Sequence, residues 1–228
     1  MTLEALNREI MACRKCPRLV DWRESVAARK RTAFSAWEYW GKPVPGFGDQ
    51  RATILAVGLA PGAHGSNRTG RQFTGDASGR FLFPALFRAG FASQPEATSR
   101  DDGLELRGLY VTASCRCVPP GNKPAPAELA NCRPYLEREI SLLAPHVIVC
   151  LGRLAFAVVL RIHSLRPSDF KFAHGASYQI DLEIRGKHRW LLCTFHPSQQ
   201  NTLTGRLTPV MFDKIWSTAR VLAARGGA

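Results

Sequence analysis

The chain predicts an α/β fold: three layers, with a central, mainly parallel β-sheet flanked by helices. Three observations carry this. From residue 53 onward, short apolar runs of strand length alternate with longer stretches at helical spacing, the order expected of strand–helix–strand units. The 228 residues, 45% apolar and 21% charged, suit one hydrophobic core, so residues 1–228 are expected to form a single domain that includes a helical, cysteine-containing N-terminal segment. Polar, glycine-rich loops follow the apolar runs, where open α/β sheets keep their ligand sites.

The elements follow in order. Leu3, Leu6 and Ile10 recur at helical spacing behind Thr2, a candidate cap, and predict a helix over 2–12. Pro17 opens a second helix directly after a cysteine pair. Residues 30–50 are irregular, with Trp37, Tyr39, Trp40 and Phe47 among glycines and prolines, and predict an aromatic-anchored surface loop. Strands are then expected over 53–57, 109–113 and 146–150, and helices over 77–88, 127–143 and 153–162. A hairpin over 178–184 and 190–195 precedes a last helix over about 208–224. Three loops, 58–79, 114–122 and 196–206, leave the carboxyl ends of strands and are expected to share one cleft.

Thirty-one Lys and Arg against eighteen Asp and Glu give a formal charge of +13, which points to a polyanionic partner. No apolar run approaches the roughly twenty residues that span a bilayer, and the opening MTLEALNREI lacks the order of a signal peptide. A cytoplasmic, nucleoid-associated protein without membrane attachment is expected. In that compartment seven cysteines are poor disulfide candidates and better metal ligands.

Cys13 and Cys16 form a C-x2-C pair, and Cys117 and Cys132 flank a proline-rich loop, so four thiolates can meet at one metal group. Zinc and an iron-sulfur cluster both accept four thiolates, and spacing alone leaves both open. One knuckle matched by two isolated cysteines leans toward iron-sulfur, since a zinc ribbon usually closes two knuckles. Cys115, Cys150 and Cys193 read as core thiols.

In the first loop Phe73 suits stacking on a flat base. Asp76 lies at a helix start, where it is either a plain N-cap or a functional carboxylate. His196 ends an apolar run, a place core packing explains poorly, and Ser198, Asn201, Thr204 and Arg206 follow around Leu203, a set suited to phosphates and to wedging a duplex. The Walker lysine and spacing are missing, which argues against an NTPase.

Taken together, GLAPGAHGSNRTGRQFTGDASG (58–79), VTASCRCVPPGNKP (111–124) and HPSQQNTLTGRLT (196–208) resemble the uracil-DNA glycosylase superfamily, within it the iron-sulfur families four and five, and most closely family five, or type B. The resemblance spans nearly the whole chain. It implies a uracil-DNA glycosylase-like fold and a monofunctional repair enzyme, a monomer, that extrudes uracil or another deaminated base from DNA and hydrolyses its N-glycosidic bond. It further implies that Cys13, Cys16, Cys117 and Cys132 hold a [4Fe-4S] cluster, that Asp76, Asn122 and His196 are the catalytic group, and that Gly58, Ala60 and Phe73 receive the base. Ser66, Asn67, Arg68, Ser198, Asn201, Leu203 and Arg206 are expected to touch DNA. Ala60 and Ala113 are apolar where family four carries polar residues, which implies broader base selectivity: hypoxanthine, xanthine and modified cytosines beside uracil. A non-catalytic iron-sulfur DNA-binding module is the competing reading, and it needs neither Asp76 nor His196.

Overall fold

The computed structural model describes residues 1–180 and 189–225. Its centre is a six-stranded sheet: β1 (Phe47–Gly48), β2 (Ile54–Gly58), β3 (Leu109–Ala113), β4 (Val147–Leu151), β5 (Ser177–Ile180) and β6 (Arg189–Thr194). In spatial order these run β1-β3-β2-β4-β6-β5. The four inner strands are parallel, and an antiparallel strand closes each edge.

Successive residues of a strand face opposite sides of a sheet, and the inner strands divide their apolar residues accordingly. Ile54, Ala56, Val111 and Val149 pack against α4 (Ala77–Arg88) and α8 (Pro209–Arg225), where Phe83, Phe212 and Trp216 are fully buried. Leu55, Val57, Ile148 and Cys150 pack on the other face against α5 (Pro126–Leu143) and α6 (Arg153–Ile162) through Leu136, Ile140, Phe156 and Val159. Burying both faces explains why β2 and β4 are unbroken apolar runs and why β3 is interrupted only by Thr112, which donates to buried Glu139. Each fully buried large apolar side chain contributes about 1.5–3 kcal/mol.

The expected three layers, and the α/β class, are therefore observed, with boundaries moved by a residue or so. At the N-terminus α1 (Leu3–Met11) is capped by the Thr2 hydroxyl, which accepts from the Ala5 N–H at 3.2 Å, and α2 (Pro17–Arg29) begins at its proline. Of the expected hairpin, 181–184 lie outside the described residues; the remainder pairs antiparallel as β5 and β6. Three short elements fall inside segments expected to be irregular: β1, α3 (Ser66–Thr69) and α7 (Gln199–Leu203). They are too short to show a period. Among the described residues no helix is long and apolar enough to cross a membrane.

Candidate active site

The loop after β2 folds back on itself to hold an aromatic ring and a carboxylate. Gly58, the last residue of β2, leaves room for Phe73: a Cβ there would sit 2.7 Å from the ring. Phe73 is 7% exposed with a positive φ of 55°, a backbone strain held by its N–H donating to the Ser66 hydroxyl at 3.0 Å. The ring lies 5.9 Å, centroid to centroid, from that of His196, tilted by 32°. Two of the three expected loops thus meet through this pair.

Asp76 caps α4, its Oδ1 accepting from the Gly79 N–H at 3.0 Å. The cap does not exhaust its role in the structure, because the other oxygen is enclosed by backbone. A Cβ on Gly62 would come within 2.9 Å of Oδ2, and one on Gly65 within 2.2 Å. The glycines of GLAPGAHG therefore serve a close approach of the chain to a carboxylate, with no phosphate cradle needed to explain them. Burial pushes the Asp76 pKa up, opposed by the N–H groups of Gly79 and Ser78 and by the charges of Arg80 and Arg68.

Burial likewise lowers the His196 pKa, to about 4, so the imidazole is neutral at physiological pH. Its backbone is fixed from one side by Asn201, whose Nδ2 donates to the His196 carbonyl at 2.8 Å. On the other side is Gly152, just past β4, with φ 102° and room for only a tight Cβ, 3.3 Å from that of His196. Gly152 was not anticipated; a glycine between an apolar run and a helix was its only sign. Also unanticipated is the Tyr39 hydroxyl, 3.0 Å from His64 Nδ1, which brings the aromatic segment 30–50 onto the loop beside Asp76.

The expected DNA contacts divide in two. Ser66, Asn67 and Arg68 are buried, at 2%, 0% and 4% exposure, and their polar groups serve the scaffold. Ser66 holds Phe73, Asn67 donates to the Arg23 carbonyl at 3.2 Å, and Arg68 donates to the carbonyls of His64 and Gly75. These three are corrected from surface contacts to internal braces, because the loop turns inward to satisfy its own polar groups. Ser198, Leu203 and Arg206 remain available: Ser198 is half-buried, Leu203 is 81% exposed, and exposed Arg206 lies over the Phe195 ring at 4.6 Å. Asn201 is spent on His196. Asn122 is exposed, with φ 57°, on a 3-10 turn (Pro120–Asn122). Ala60 packs beside the cysteines and Leu19.

Cys13, Cys16, Cys117 and Cys132 line one pocket with Arg23, Asn131 and Tyr135. Arg23 Nη1 donates to Cys117 Sγ at 3.1 Å, and Asn131 Nδ2 to Cys16 Sγ at 3.3 Å, so N–H donors already face the sulfurs. Arg116, between Cys115 and Cys117, pairs with Glu139 at 2.5 Å in the interior, and Arg18 pairs with Glu128 at 2.7 Å. These pairs lock the Cys117 loop and α2 onto α5, which carries Cys132. Among the described residues no three His, Cys, Asp or Glu side chains converge on a single-ion site. Cys115, Cys150 and Cys193 are fully buried, as core thiols are.

Set beside known proteins, residues 45–220 match the model of the uracil DNA glycosylase superfamily, and the chain belongs to that family. The full chain is 53% identical over 224 residues to the type-5 uracil-DNA glycosylase of Thermus thermophilus, covering 98% of this chain and 99% of that one. It is 48% identical over 225 residues to the type-5 enzyme of Mycobacterium leprae, covering 97% and 96%, and 31% identical over 198 residues to the type-4 enzyme of Archaeoglobus fulgidus, covering 86% and 82%. Within its superfamily, this chain is a type-5 uracil-DNA glycosylase.

Proposed function

We propose that this glycosylase works on one extruded nucleotide, with Asp76 and His196 acting on opposite ends of the scissile N-glycosidic bond. The observation that carries the reading is the pairing of the Phe73 and His196 rings at the carboxyl end of the sheet, with Asp76 three residues past Phe73 at the start of α4. As the bond lengthens, positive charge grows on the sugar and negative charge on the leaving base. Ionised Asp76 opposes the first, or orients the attacking water. His196, through the one N–H its neutral ring keeps, donates to a base carbonyl and so stabilises the second, as a preorganised donor does at an oxyanion. Phe73 stacks on the base, with Gly58 and Ala60 beside it. Exposed Asn122 reaches the base or the water. Leu203 fills the gap left in the duplex, while Ser198 and Arg206 hold phosphates.

A [4Fe-4S] cluster fits the chemistry of the cysteine pocket: four thiols and N–H donors directed at sulfur. Cys13, Cys16, Cys117 and Cys132 would hold it. Its contribution is structural, joining the N-terminal helices to the loop that carries Asn122. Arg23 extends that bracing, since its guanidinium reaches Cys117 and its carbonyl holds Asn67.

The enzyme acts as a cytoplasmic monomer on DNA containing uracil opposite guanine, and also on hypoxanthine or xanthine, because no polar side chain at Ala60 or Ala113 reads the pyrimidine edge. Lys123 is exposed, its backbone carbonyl accepting from Arg18, and the enzyme acts as a monofunctional hydrolase. Incubation with oligonucleotides carrying one U, hypoxanthine or xanthine, followed by alkali, tests this. Free base and alkali-dependent cleavage are expected. Folded, cluster-loaded protein that binds these duplexes and releases no base would favour the binding module.

A further inference from the structure

Arg68 lies inside the loop that builds the site, 4% exposed, and desolvation pulls its pKa down. A buried guanidinium without close compensation is costly, and this one is compensated almost wholly by backbone and aromatic faces. Its Nε donates to the His64 carbonyl at 2.7 Å and its Nη2 to the Gly75 carbonyl at 3.0 Å. The rings of Phe34 and Trp37 each lie 4.0 Å from its central carbon. Its Nη1 has no partner. Gly75, at φ 77°, has no room for a side chain, since a Cβ would meet Nη2 at 2.4 Å.

The two carbonyls are not arbitrary ones. His64 directly precedes Gly65, whose backbone closes on Asp76 Oδ2, and Gly75 directly precedes Asp76 itself. One planar fork therefore fixes both pieces of chain that determine where the Asp76 carboxylate sits. We propose that Arg68 is a positioning residue for Asp76, clamped by Phe34 and Trp37 from the aromatic segment. The inference rests on the reading of Asp76 as the catalytic carboxylate.

The charged and titratable groups around this carboxylate are few. Arg68 and Arg80 favour its ionised form, with the Ser78 and Gly79 N–H groups. His64 is bonded to the Tyr39 hydroxyl, and burial, Arg31 and Arg68 all lower its pKa. His196 is neutral. Removing Arg68 therefore removes one of the two nearby cations and leaves burial less opposed.

The test follows the Asp76 carboxyl carbon by NMR titration in wild type, Arg68→Met and Arg68→Lys, alongside single-turnover base release from a U-containing oligonucleotide. In Arg68→Met the titration midpoint rises. The rate at saturating DNA falls on the order of tenfold to a hundredfold, as a misplaced group costs, without a matching rise in KM. Arg68→Lys restores the midpoint and part of the rate, since it keeps the charge and loses the fork. A folded Arg68→Met with unchanged midpoint and unchanged rate would overturn the proposal. Should Arg68→Met not fold, Trp37→Leu loosens the clamp from outside; it should move the midpoint the same way by less and slow base release, and a folded Trp37→Leu with unchanged midpoint and unchanged rate overturns the idea. A full rate in Asp76→Asn would sink the catalytic reading alone, because the titration reads the Arg68–Asp76 coupling without turnover.

Discussion

At the residue scale, the site depends on groups whose usual roles are shifted by burial. A carboxylate at a helix start is ordinarily a cap, and Asp76 is one. What distinguishes it is the backbone pressed against its free oxygen. Gly65→Ala should therefore displace the carboxylate, since the new methyl would lie 2.2 Å from Oδ2. The expected result is a loss of base release on the order of a hundredfold with DNA binding retained, measured by single-turnover kinetics and anisotropy. The pH profile follows from the same burial. In the proposed mechanism Asp76 acts ionised, and burial raises its pKa, so base release is expected to decline with acidity from above the ordinary carboxylate range. His196 stays neutral down to about 4. The acid limb should thus persist in the residual activity of His196→Gln; its disappearance there would assign it to the histidine. The structure brings Phe73 and His196 together. The sequence singles out Phe73, Asp76 and His196 because each breaks a local pattern: an aromatic in a polar loop, an acid before a helix, a histidine after an apolar run. It misplaced Ser66, Asn67 and Arg68, because a polar residue in a loop looks the same whether its partner is solvent, a phosphate or the loop's own backbone.

At the element scale, the long strands and helices were readable and the short ones were not. β2 and β4 are continuous apolar runs, and β3 nearly so, because both sheet faces are covered, and α4, α5 and α6 carry enough turns to show a period. β1, α3 and α7 have two, four and five residues. Their positions depend on tertiary contacts: Gly41 N–H to the Asn67 carbonyl and Trp40 N–H to the Arg68 carbonyl lay the aromatic segment against α3. α7 has a different task. It follows His196 directly, sends Asn201 back to hold the His196 carbonyl, and presents Leu203 outward. Because Leu203 packs on nothing, Leu203→Ala should leave unfolding within about 0.5 kcal/mol of wild type. It should nonetheless slow base release from duplex DNA more than from single strands, where there is no gap to fill. Equal slowing on both would remove the wedge role.

At the scale of the whole molecule, a net charge of +13 is distributed over a scaffold that spends several of its arginines internally. Arg116 and Glu139 pair in the interior, and Arg71 pairs with Asp102. Against the upward pull of burial, Arg71 and the N–H groups of Leu104 and Thr98 hold the Asp102 carboxyl at about 2. A strongly basic total therefore overstates the basic surface, and only exposed cations such as Arg206 are free for phosphates. Each phosphate neutralised contributes about −0.9 to the slope of log affinity against log salt. Arg206→Ala should reduce that slope by about one with no change in melting temperature; an unchanged slope would remove Arg206 from the DNA contact. The overall charge indicated the class of partner, and of the three loops expected to share a cleft the structure joins two, through Phe73 and His196. How the N-terminal cysteines reach the site through Arg23 and Asn67 needed the folded chain, since those residues lie 44 positions apart.

In the proposed mechanism half-buried Asp76 is kept charged for chemistry at a cost to the fold. A carboxylate whose pKa is raised on folding destabilises the folded state at any pH above that pKa, so removing its charge should relieve the fold near neutral pH. Asp76→Asn keeps the cap acceptor and nearly the same shape. Single-turnover base release and thermal unfolding on the same preparation of this variant decide the matter. The account predicts a melting temperature at or above that of wild type and a rate lower by on the order of a hundredfold or more. A variant less stable than wild type with an undiminished rate would contradict it, and would leave Asp76 as a helix cap only.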